Sequence, residues 1–150
     1  MKIALASDHG GFSLKQEILS YLKEDAKVTV EDLGAHSADS VDYPDYAGLV
    51  AKKVSLGEAD RGILLCGTGV GMAITANKFK GVRAAALSDL VSAQMAREHN
   101  DLNVLCLGER VIDAKLAKEL VKIFLKTPFA GGRHEKRVEK IKKLEERNCK

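Results

Sequence analysis

The chain has 150 residues and a net charge of +3, with 45% hydrophobic and 30% charged residues, an ordinary globular balance that excludes a disordered chain. Residues 133–150 alone carry a net +4, so the remainder is nearly neutral and offers no whole-surface nucleic-acid footprint. No apolar stretch approaches the roughly 20 residues of a membrane span, and three cysteines without framework spacing suit a reducing compartment.

Lys2–Ala6 is expected as a strand. Its short apolar run meets Asp8 and His9, which does not make a secretory signal, so a cytoplasmic protein of one domain, 1–150, is expected. Phe12–Glu24 reads as a helix with Leu14, Ile18, Leu19 and Leu22 on one face. Val28–Leu33 alternates as a strand, and a polar loop, Gly34–Asp42, follows. Pro44 suits the first turn of a helix running to about Leu56, with Tyr46, Leu49, Val50 and Val54 as its apolar side. Gly62–Cys66 is a continuous apolar run, the pattern of a strand covered on both faces. A helix is expected over Met72–Lys80, a strand over Arg83–Leu87 and a helix over Leu90–His99. Asn103–Leu107 is the fifth strand, Asp113–Leu125 a helix capped by Asp113, and Thr127–Gly132 a break before a charged helix from about Arg133. Strands alternating with helices throughout predict an α/β fold with a five-stranded parallel sheet and right-handed crossovers.

Ligands of open α/β sheets bind beyond the carboxyl ends of the strands. The first strand ends in Ser7-Asp8-His9-Gly10-Gly11, the third in Cys66-Gly67-Thr68-Gly69-Val70-Gly71, the fourth in Ser88-Asp89 and the fifth in Gly108-Glu109-Arg110. The alternate glycines after Cys66 expose backbone amides at a strand-to-helix turn, a cradle for an anion or oxyanion. A dinucleotide-binding turn would have its third glycine where this chain has Met72. The Gly-Lys-Ser/Thr of a P-loop is missing as well. Cys66 stands at the mouth of this turn, a setting that favours thiolate and suits a nucleophile or a general base. Cys106 reads as core, and Cys149 as an incidental exposed thiol.

Arg133 and Arg137, four residues apart, share a helix face beside Lys136. Their mutual repulsion and the macrodipole both oppose that placement, and a bound phosphate would reverse both effects. His9, His99 and His134 lie near candidate loops, His36 in a polar one. His99-Asn100 falls at the wrong end of the sheet for a site built on strand carboxyl ends.

Taken together, Ser7–Gly11, Ser40–Tyr46, Cys66–Gly71, His99-Asn100 and Thr127–His134 resemble the ribose-5-phosphate isomerase B family, which also contains galactose-6-phosphate isomerase subunits. The resemblance runs in order and spacing from Met1 to about Ile141. It implies a Rossmann-like three-layer α/β/α sandwich and a homodimer with active sites shared between subunits, so that His99-Asn100 serves the partner's site; dimer against tetramer stays open. It implies interconversion of ribose 5-phosphate and ribulose 5-phosphate through a cis-enediolate, with no cofactor, metal, nucleic acid or membrane. Some members carry glutamate where this chain has Cys66.

By that resemblance Cys66 would be the base and His99 the ring-opening acid, with Thr68 orienting the reacting hydroxyls. Gly67, Gly69, Val70 and Gly71 would supply donors to the enediolate, and Asp8 and Asn100 would hold sugar hydroxyls. Arg110, Arg133 and Arg137, with His9, would hold the phosphate, and Tyr43 would line the pocket. The same needs follow from the chemistry: a base, a preorganised oxyanion site and a remote phosphate anchor. The alternatives are an allose or galactose 6-phosphate isomerase, or a nucleotide-binding module without catalysis. A cysteine phosphatase is disfavoured, because no arginine stands in Cys66–Gly71 to close on phosphate.

Overall fold

In the computed structural model of the chain, residues 1–148 are described, so Cys149 lies outside the described residues. Five parallel strands run β1 (Lys2–Ser7), β2 (Thr29–Asp32), β3 (Arg61–Cys66), β4 (Ala84–Ala86) and β5 (Val104–Gly108). They lie in the order β2-β1-β3-β5-β4. Six α-helices connect and follow them: α1 (Phe12–Lys23), α2 (Tyr43–Ser55), α3 (Val70–Ala76), α4 (Leu90–Asn100), α5 (Ala114–Lys126) and α6 (Arg133–Asn148).

Strand periodicity of two sends alternate side chains to opposite faces, and the core divides accordingly. Ile3, Leu5, Ile63, Leu65, Leu105 and Leu107 meet α1, α4 and α5 on one face, through Ile18, Leu22, Ala93, Leu120, Val121 and Phe124. Ala4, Ala6, Leu64, Cys66 and Cys106 meet α2 and α3 on the other, through Ala47, Val50, Ala51, Met72 and Ala76. Each fully buried Leu or Ile contributes about 1.5–3 kcal/mol. The small alanines of β1 let α2 approach closely. This is the expected α/β/α arrangement, and Cys106 is core as expected, with burial pushing its thiol up.

Several expected details differ. The α2 face toward the sheet is Ala47, Val50 and Ala51, whereas Leu49 is 47% exposed; the helical phase admits small residues at the contact and turns Leu49 out. The helix expected over Met72–Lys80 is α3, which begins at Val70 and ends at Ala76. Its start is set by Gly69, and its end by Asn77, whose carboxamide leaves the helix for the sheet edge. Asn77 Oδ1 accepts the Ala84 N–H and Nδ2 donates to the Ala84 carbonyl, both at 2.8 Å. The helix expected over Leu90–His99 is α4, which runs one residue further and includes Asn100. Asp113 caps α5, accepting the Leu116 N–H at 2.8 Å.

Candidate active site

The chain leaves β1 toward α1 on one face and β3 toward α3 on the other, so the carboxyl ends of these neighbours open a crevice. Asp8 and His9 enter it from β1. Asp8 is buried, and its Oδ1 accepts the Gly11 N–H at 3.2 Å, which fixes the carboxylate at the start of a single 3-10 turn. A Cβ at Gly11 would lie 2.5 Å from the Leu65 carbonyl carbon, so only glycine lets this turn rest on β3. His9 Nδ1 accepts the Val41 N–H at 3.1 Å. With that nitrogen occupied as an acceptor, a neutral His9 carries its proton on Nε2.

From β3 comes Cys66, 5% exposed, whose Sγ accepts the Gly69 N–H at 3.0 Å. Gly69 has φ +81°, the left-handed turn that aims its amide back at the sulfur and starts α3. Thr68 is exposed, its Oγ1 accepting the Val70 N–H at 3.3 Å. The β5 loop is tied on: Glu109 N–H donates to the Cys66 carbonyl and Arg110 N–H to that of Gly67. The Arg110 side chain passes over Gly67, and the Tyr43 ring packs against Gly71. Asp8, His9, Tyr43, Cys66–Gly71 and Arg110 therefore form one cluster.

A second cluster lies elsewhere. His99, Asn100, Arg133, His134 and Arg137 line a cavity of about 290 Å³ between α4 and α6. His99 and His134 stack with centroids 4.0 Å apart and 12° between their planes. Desolvation, then the charges of His99, Arg133 and Arg137, lower the His134 pKa, against a smaller opposing effect of Glu98. This cluster belongs to the amino-terminal edge of the sheet, where the Asn103 carbonyl accepts the Gly62 N–H. From Gly62 to Cys66 the strand rises roughly 13 Å. The four expected phosphate contacts are thus not gathered within one chain: His9 and Arg110 stand in the crevice, Arg133 and Arg137 in the second cavity.

Three supports were not anticipated. Lys15 is fully buried, with Nζ 2.8 Å from Asp32 Oδ1 and bonded to the Ala35 carbonyl; it anchors the loop that delivers Val41 and Tyr43. Its spacing of three and four from Ile18 and Leu19 was a legible sign that it faces inward. Glu109 Oε1 accepts the Leu14 N–H in the first turn of α1, a long-range cap without a sequence signal. Arg97 is 3% exposed and pairs with Asp101 at 2.9 Å, a pairing its i,i+4 spacing allowed.

The profile of the ribose/galactose isomerase family matches residues 3–141. The chain is 51% identical over 146 residues to ribose-5-phosphate isomerase B of Escherichia coli, covering 97% of each. It is similar to the solved ribose-5-phosphate isomerase B of Clostridium thermocellum, with TM-score 0.95, 51% identity and coverage of 98% and 99%. The Mycoplasma genitalium enzyme, solved with bound ribulose-5-phosphate, superimposes with TM-score 0.92 at 46% identity, covering 97% of this chain and 96% of that one.

Proposed function

Because the chain belongs to the ribose/galactose isomerase family, we propose that it interconverts ribose 5-phosphate and ribulose 5-phosphate by proton transfer through a cis-enediolate. The observation that carries this reading is the Cys66 Sγ accepting the Gly69 N–H at 3.0 Å inside a crevice walled by Asp8, His9 and Arg110. The loop that supplies this amide carries further amides for developing negative charge.

The Cys66 thiolate takes the proton from C2 of the open-chain aldose, and the C1 carbonyl oxygen becomes the enediolate oxygen. The thiol then returns the proton to C1 while the hydroxyl proton on O2 moves to O1, leaving the ketone at C2. Thr68 orients the two oxygens, and Gly67, Gly69, Val70 and Gly71 present amides to them. Asp8 and Asn100 hold sugar hydroxyls against the wall formed by Tyr43. Before that step His99 donates a proton to the ring oxygen as its bond to C1 in the furanose breaks, and the anomeric hydroxyl releases its proton to solvent, which leaves the C1 aldehyde. The acid and the base stand in separate clusters of one chain, so a homodimer brings His99, Asn100, Arg133 and Arg137 of one copy to the crevice of the other. Exposed Val70, Ile74 and Met95 supply apolar surface for that association. No helix among the described residues is long and apolar enough to cross a membrane, and the reaction is assigned to the cytoplasm.

The test is a panel of pentose and hexose phosphates assayed for aldose–ketose conversion, with Cys66→Ala as control. Conversion of ribose 5-phosphate that disappears in the variant supports the reading. A protein inert on the whole panel overturns it.

A further inference from the structure

Asp101 closes α4 in the left-handed conformation, φ 48° and ψ 48°, and is the one non-glycine residue with positive φ among the described residues. Two arginines hold it there. Arg97 Nη1 bonds Asp101 Oδ1 at 2.9 Å and the Leu102 carbonyl at 2.6 Å, while its Nε reaches the Thr127 carbonyl at 3.1 Å. Arg83 Nη2 bonds Asp101 Oδ2 at 3.2 Å, and its Nε bonds the carbonyls of Asn100 and Asp101, both at 3.0 Å. The Arg97 guanidinium is nearly inaccessible and that of Arg83 largely so. Both arginines thus grip the turn that immediately follows His99.

We propose that Asp101, clamped between Arg83 and Arg97, is a positioning residue for His99. This rests on the ring-opening role given to His99 above. A left-handed residue costs free energy unless its surroundings over-determine it, and here four carbonyl contacts and two ion pairs do so. What the strain secures is a sharp end to α4: the helix stops at Asn100, one residue after His99, and the His99 ring stacks on His134. Without the clamp the last turn frays, as unrestrained helix ends do, and the His99 ring loses its fixed direction. The Thr127 bond and the Ala130 N–H to the Glu98 carbonyl extend the clamp to the segment leading into α6. Cys66 and its loop have no part in it.

The consequence is a defect confined to one step. Asp101→Asn keeps a residue that tolerates the left-handed region but removes both ion pairs. Arg83→Gln removes the grip on the Asn100 and Asp101 carbonyls without leaving Arg97 unpaired, and is the second variant should Asp101→Asn fold poorly. Each is assayed for turnover of ribose 5-phosphate, for KM, and for exchange of the C1 proton of ribulose 5-phosphate with solvent deuterium, beside His99→Asn. Exchange on the open-chain ketose needs Cys66 and no ring opening.

Both variants are expected to lose about ten- to a hundredfold in kcat on ribose 5-phosphate, with KM and ketose exchange within about twofold of wild type. Equal losses in turnover and exchange, or no loss, overturn the positioning role. If His99→Asn shows the asymmetry and neither clamp variant does, the positioning role alone falls. If His99→Asn itself shows no asymmetry, the ring-opening reading falls and the positioning role with it.

Discussion

The imidazoles of His99 and His134 lie face to face, 4.0 Å between centroids, with Arg133 and Arg137 lining the same cavity. Desolvation, then the neighbouring charges of His99, Arg133 and Arg137, hold the His134 pKa below its ordinary value. The unfolded chain therefore binds a proton at this residue more readily than the folded one. Stability contributed here is present above the ordinary histidine value of about 6.5 and is lost as pH falls through and below it.

An oxyanion in the cavity supplies the missing opposite charge. Sulfate, whose charge is constant over this range, should raise the melting temperature more at about pH 5.5 than at about pH 7.5, and His134→Asn should flatten that difference. Equal sulfate shifts at both pH values in the wild type would remove anion binding from this cavity.

Cys66→Ala should lower turnover by about a hundred- to ten-thousandfold. The site is small and already buried at 5% exposure, so circular dichroism and melting should change little. Retention of a tenth of wild-type activity would disqualify the thiol as the base.

His99→Asn should depress turnover of ribose 5-phosphate while sparing proton exchange on ribulose 5-phosphate, since only the furanose needs opening. Parallel losses in the two assays would point to an orienting role.

How much of this was readable beforehand depends on the range of the interaction. The Cys66–Gly71 turn and the Arg133/Arg137 face are local patterns, and the structure gathers each as the residue spacing indicated. That His99 stood apart from the strand carboxyl ends was legible too, because α4 runs back along the sheet. The insertion of β5 between β3 and β4 had no local signature. Leu49 misled because apolarity was weighed without regard to which residues are small enough to pack on β1. Lys15 belongs to no motif, although its position falls on the inward stripe of α1.

That buried lysine gives a stability prediction. Lys15→Met removes the charge beside Asp32, whose side chain is 28% exposed, and leaves the Ala35 carbonyl without its donor. Breaking a buried pair costs on the order of 3 kcal/mol, to be read from chemical denaturation at neutral pH. A loss below about a third of that would mean that water replaces the ammonium.

Arg137→Ala deletes one charge-assisted contact worth about 1.5–3 kcal/mol, so kcat/KM should fall about ten- to a hundredfold. The ligand-free variant should melt no lower than wild type, because Arg133 and Arg137 repel each other in the empty cavity. Phosphate should raise the melting temperature of the wild type more than that of the variant. Identical shifts would sink the phosphate role of Arg137.

The Asn77 carboxamide, bonded both ways to Ala84, stands where one residue of a sixth strand would stand. β4 is three alanines at the rim of the sheet, flat and featureless, and such a rim is an invitation to strands of other molecules. By filling the outward-facing donor and acceptor of Ala84 from its own helix, the chain denies a foreign strand its first rung. The bonds that end α3 thereby also guard against fibre-like stacking.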